Sequence, residues 1–145
     1  MPREPGVPHL LDWAGERWSP STEARDALGT QWVRGRHGEG HSRVPGVIHY
    51  GGNGGYQMIE LATQFGARQI VLLGYDMERR GDQVHWHGRH PVPLGNCSGD
   101  LFVKWRRRLG VLAADLRVLG VDVINCSRHS ALTCFDRRPL EDTLQ

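Results

Sequence analysis

Between residues 47 and 125 the chain alternates short apolar runs with segments of helical period, and no other feature limits its folds as strongly. Residues 47–49, 69–73 and 121–125 read as strands. The run 69–73, QIVLL, is apolar without alternation, as a parallel strand covered on both faces requires. Between the first two strands, Met58, Leu61, Ala62 and Phe65 recur at helical spacing, with Asn53 placed as an N-cap and Gly66 as a stop. Between the second two, Phe102, Trp105, Leu109, Leu112, Leu116 and Leu119 form one stripe over residues 99–119, closed by Gly120. Such an order implies right-handed crossovers in a parallel sheet with helices on both faces, an α/β architecture of three layers.

The remaining segments fit around that unit. With 145 residues, 39% of them hydrophobic, the chain is long enough for one compact domain, and a single domain is expected. Residues 1–18, rich in Pro and Gly, read as an irregular arm, leaving 19–145 as the domain. Ser19 and Pro20 form an N-cap and a first helical position for a short helix that Gly29 ends, before a strand near residues 31–34. The stretch GRHGEGHSRVPG, residues 35–46, reads as a mobile loop that exposes His37 and His41, and Pro139 begins a short terminal helix.

Composition narrows the partners. No run of about eighteen apolar residues is present to span a bilayer, and MPREPGVPHLLDWAGERW lacks the apolar centre of a signal peptide. A cytoplasmic protein of a bacterial or phage-infected cell, without a membrane partner, is expected. Cys97, Cys126 and Cys134 form no CxxC pair and are expected as reduced thiols. The net charge is only +2 and the basic residues are scattered, with Arg106, Arg107 and Arg108 the one run, so a nucleic-acid surface is not supported.

Three loops should leave the carboxyl ends of the strands, where open α/β sheets bind ligands. The first contains GGNGG, residues 51–55. It is not a dinucleotide fingerprint, because Gln57 stands where the third glycine is needed, and no Gly-Lys pair supplies a P-loop. A small-residue turn before a helix still presents unpaired N–H groups to an anion, so Asn53, Gly54 and Gly55 can hold phosphate or a nucleotide. Equally, the glycines can make only a tight connection.

The second loop places Asp76 directly after a strand and then supplies His85, His87 and His90 in HWHGRHP. In an extended segment His85 and His87 share one side, where His90 or Asp76 would complete a metal site. The alternative is acid–base chemistry by an imidazole, which the absence of a supporting metal motif favours. The third loop, NCSRHS, brings Arg128 towards phosphate and Ser130 towards a base, although turn bonding accounts for each hydroxyl and amide taken singly. No GxSxG elbow marks a serine hydrolase.

Taken together, NGGYQMIELA, FGARQIVLLGYDM, HWHGRHP, VINCS, ALTCF and PLEDTL resemble the carboxyl-terminal portion of a phage and bacterial family labelled norphogenetic proteins. More distantly the chain resembles bacterial sialyltransferases that use CMP-sialic acid, and the MptE-like hydroxymethylpterin pyrophosphokinases. The resemblance covers residues from Trp13 onward, most specifically 48–91. It implies a Rossmann-like sheet that binds a nucleotide or nucleotide-sugar, with Asn53 and Gly54 at the nucleotide and Leu72, Gly74 and Asp76 after the next strand. It also implies His85, backed by His87 and His90, as the base that activates a hydroxyl acceptor for sugar transfer without an obligatory metal.

The pyrophosphokinase resemblance implies instead a Mg²⁺-dependent transfer to a small hydroxymethyl compound. Members of these families begin with a further strand and glycine turn, so the N-terminal half of the pocket is expected to be missing here or borrowed from a second subunit in a homo-oligomer. A non-catalytic phage accessory is the third expectation.

Overall fold

A computed structural model of the protein describes residues 12–79, 81 and 97–144. It is a mixed α/β structure with small parallel sheets, in two compact units, Met1–Gly35 and Arg36–Gln145. In the first unit, β1 (Trp18–Ser19) pairs in parallel with β2 (Gln31–Trp32), and α1 (Thr22–Leu28) joins them. The cap of α1 is Ser21, not Ser19, because the Ser21 hydroxyl accepts the Ala24 N–H. Gly29, at φ 62°, turns the chain out of the helix as expected.

The second unit holds the core. Parallel strands β5 (Gln69–Leu72) and β6 (Asp122–Asn125) lie side by side, Gln69 opposite Asp122 and Leu72 opposite Asn125, and α3 (Gly99–Val118) lies between them in sequence. A short strand absent from the sequence reading, β7 (Asp136–Arg137), extends this sheet in parallel beyond β6. Leu109, Leu112, Ala113 and Leu116 of α3 pack with Leu72, Val121 and Val123, and Leu132 and Phe135 close the cluster. Of the predicted α3 stripe, Phe102, Leu109, Leu112 and Leu116 are buried, whereas Trp105 is half-buried and Leu119 lies half exposed past the helix end.

Two corrections concern the first strand and its helix. β4 (Val47–His49) is a strand as predicted and is buried throughout, but it pairs with β3 (Arg34–Arg36) and not with β5, so the described strands form three small sheets where one was expected. In α2 (Gly54–Gln64) the buried residues are Tyr56, Ile59 and Glu60, whereas Met58 and Phe65 are exposed. The apolar period had pointed to the opposite face. What turns α2 is Tyr56, which is fully buried with Ile59 against the α3 core, and Glu60, whose carboxylate holds the loop before β4.

That loop is also corrected. Residues 37–46 are tied to two helices: Asp115 accepts the His41 N–H, Glu60 accepts the Ser42 N–H, and Gln64 bonds four backbone groups between Ser42 and Val47. His41 is largely buried as a result, while His37 is exposed. At the carboxyl terminus Pro139 is followed by a single turn, in which Leu140 O accepts from Thr143 and Leu144, and not by a helix. Among the described residues no helix is long and apolar enough to cross a membrane.

Candidate functional site

Because β5 and β6 end together at Leu72 and Asn125, the loops that follow them are neighbours, and a buried polar network fixes their spacing. Asn125 is fully buried. Its Oδ1 accepts the Ser127 N–H at 3.0 Å and its Nδ2 donates to Ser130 Oγ at 3.0 Å. Ser130 in turn donates to the Tyr75 carbonyl at 2.6 Å and accepts the Leu132 N–H at 3.0 Å. The Tyr75 N–H donates to Ser127 Oγ at 2.8 Å, and the Asp76 carbonyl accepts the Ala131 N–H at 2.8 Å. From β7, Arg137 Nη2 donates to the Ser127 and Arg128 carbonyls, each at 3.1 Å.

Above this network opens a cavity of about 840 Å³. Its lining includes Gly74 and Asp76 after β5, Arg128 and His129 after β6, and Arg137, Arg138 and Glu141 from β7 and beyond. The side chains of Asp76, Arg128 and His129 are exposed there, and Gly74 makes its turn at φ 73°, a conformation that disfavours any side chain. Three guanidinium groups against two carboxylates give the rim a positive excess, with Arg138 partly offset by Asp136 at 3.6 Å. Guanidinium forks of this kind match the geometry of phosphate and carboxylate oxygens.

The glycine turn lies elsewhere and is filled by the protein itself. A Cβ on Gly51, at φ 57°, would enter the Tyr56 ring, and one on Gly52 would come within 2.5 Å of Arg108 Nη1, which donates to Gly51 O at 3.2 Å. A Cβ on Gly55 would lie 2.9 Å from the Tyr75 ring, whose hydroxyl donates to Gly55 O at 3.0 Å. Only at Gly54 does a Cβ meet nothing within 4 Å. Asn53 caps α2, accepting the Tyr56 N–H at 2.9 Å, and its Nδ2 is buried without a partner.

Of the residues singled out from sequence, Gly74, Asp76 and Arg128 thus meet at one cavity. Ser130 lies in the network beneath it with its donor and both acceptor positions in use. Asn53, Gly54 and Gly55 do not line the cavity, although Tyr75 links Gly55 to the segment that does. His85, His87 and His90 lie outside the described residues. Among those described, no group of three or more His, Cys, Asp or Glu side chains is arranged to hold a metal ion.

Sequence reasoning missed Arg137, Arg138 and Glu141. Their signal was the paired arginine before Pro139, the one arginine pair in the carboxyl-terminal segment. No family model, curated protein or solved structure matches the chain.

Proposed function

We propose that the protein binds a phosphate-bearing small molecule, a nucleotide or nucleotide-sugar, at the carboxyl edge of a Rossmann-like sheet. The observation that carries this reading is the cavity beyond β5 and β6, lined by Arg128, Arg137, Arg138 and Asp76 next to the hydrogen-bonded loops that follow the two strands. Arg128 meets the phosphates, and Asp76 accepts hydrogen bonds from sugar hydroxyls. The motif resemblance extends the reading to glycosyl transfer, with His85 removing the proton of an acceptor hydroxyl.

Thermal unfolding with CMP, CTP, ATP, GTP and GDP, each with and without Mg²⁺, tests it. A ligand present at about a hundred times its Kd adds about 2.7 kcal/mol of stability. A shift with CMP that needs no metal, and that Arg128→Ala removes, is the expected result. No shift with any nucleotide overturns the reading and leaves a non-catalytic accessory role.

Asp76 supports a second reading. Its exposed carboxylate on the cavity wall suits Mg²⁺ on a nucleoside triphosphate, as pyrophosphoryl transfer requires. A shift that appears only with a triphosphate and Mg²⁺ selects it.

A further inference from the structure

Met77 is the one residue other than glycine, among those described, with a positive φ, 54°. An L side chain is disfavoured in this left-handed region because its Cβ crowds the carbonyl oxygen that follows, so the conformation persists only where neighbouring contacts impose it. Two contacts do so here. The Met77 side chain packs against the core cluster, and its carbonyl accepts from Arg106 Nη1 of α3 at 2.7 Å. Arg106 is half-buried, and no carboxylate among the described residues pairs with it. Its charge is directed at a single neutral carbonyl, a stronger bond than a neutral donor would make.

The two residues before Met77 are anchored as closely. Tyr75 donates its N–H to Ser127 Oγ at 2.8 Å and its hydroxyl to Gly55 O at 3.0 Å, and its carbonyl accepts from Ser130. The Asp76 carbonyl accepts the Ala131 N–H at 2.8 Å. The Asp76 carboxylate, by contrast, is exposed at the cavity and has no partner among the described residues. A solvated surface aspartate needs neither a strained neighbour nor a clamp.

We propose that Met77 and Arg106 are positioning residues for Asp76: the left-handed turn, held by the Arg106 bond, sets the direction in which the Asp76 carboxylate meets the ligand of the cavity. This deepens, and rests on, the reading of that cavity as a site for a phosphate-bearing small molecule. The mechanical link is the N–Cα bond of Met77. With the Met77 side chain held in the core, relaxation to a negative φ must swing the Asp76 carbonyl carbon about that bond, which breaks the Ala131 contact and re-aims the carboxylate. Arg106 holds the carbonyl on the other side, so Met77 cannot turn as a whole to relieve the strain. Strain gathers at ligand sites because it fixes a group ahead of binding.

The ligand-free protein tests the positioning first. Met77→Gly and Met77→Ala both remove the packed side chain, but only glycine adopts φ 54° without penalty, so Met77→Gly should melt at the higher temperature. The reverse order, which an ordinary loop would give, overturns the proposal. Hydrogen exchange at the Ala131 amide then reports on the Asp76 peptide. Arg106→Ala should lose protection there relative to the core strand amides, and Arg106→Lys, which keeps a cationic donor, should restore part of it. Unchanged protection in Arg106→Ala also overturns the proposal.

Titration with CMP, or with ATP and Mg²⁺ if only the triphosphate binds, separates the proposal from the reading beneath it. Arg106→Ala should weaken binding about tenfold, and should weaken it no further when Asp76 is already alanine. An arginine that only stabilises the fold would lower the melting temperature and leave the affinity of the folded protein unchanged. That result, or losses that multiply in the double variant, sinks the proposal and spares the reading. If the native protein binds no nucleotide, the reading itself falls, and the two ligand-free measurements still decide whether Met77 and Arg106 fix Asp76.

Discussion

The glycine turn before α2 and the loops beyond β5 and β6 look alike in sequence, each a strand end followed by small and polar residues, yet they differ in what fills them. Tyr56, Tyr75 and Arg108 occupy the space that Gly51, Gly52 and Gly55 leave open. At the other edge the small polar side chains bond to one another, and that inward bonding leaves Asp76, Arg128 and Arg138 facing a cavity of about 840 Å³. A helix N-terminus flanked by glycine is thus not a ligand site by itself. What matters is whether the protein's own side chains have already taken the space.

The largest expected effect of a substitution comes from the filled region. Gly51→Ala must hold alanine at a positive φ and push a methyl group into the Tyr56 ring, itself fully buried in the core. Strain of that kind costs about 1–3 kcal/mol and overpacking about as much again. Denaturant unfolding should therefore show a loss of about 3 kcal/mol or more. A variant as stable as the native protein would mean that the ring does not pack under the turn, and the turn would regain standing as an open site.

Ser130→Ala sharpens the other half of the comparison. Removing the hydroxyl leaves the Nδ2 of fully buried Asn125 and the Tyr75 carbonyl without this partner. An orphaned buried polar group costs about 1–3 kcal/mol, so a loss of about 2 kcal/mol in the ligand-free protein is expected. If stability is unchanged while the nucleotide-induced shift disappears, the hydroxyl serves a ligand and the network account of this edge fails.

How far these features were legible follows from the kind of signal each one gives. The α3 stripe and the apolar β6 run could be read directly, because their periods are set by one dominant burial partner. For α2 the period pointed to Met58 and Phe65, and the buried side proved to be Tyr56, Ile59 and Glu60. A charged residue at a core position carries no hydrophobic signal; its reason is the Ser42 N–H, eighteen residues away in sequence.

The pairing of β4 with β3 was illegible for a related reason. A three-residue strand has too few side chains to specify its neighbour. At the candidate site, Asp76, Gly74 and Arg128 were legible because each lies in the loop that follows a strand readable from its apolar run. Arg137 and Arg138 enter through β7, a two-residue strand that no periodicity can reveal.

Gly54→Ala has the smallest expected effect and separates the two regions most cleanly. Gly54 is the first residue of α2, is exposed, and a Cβ there meets nothing within 4 Å. Alanine also loses less backbone entropy than glycine in a helix, so the variant should gain from a few tenths up to about 1 kcal/mol. Its methyl group would stand where an anion would have to approach the exposed N–H groups of the first turn. If the nucleotide binds beyond β5 and β6, the ligand-induced shift in unfolding temperature persists in this variant and is lost in Arg128→Ala. If the pattern reverses, the open glycine is the phosphate contact and the arginine rim is only a solvated surface.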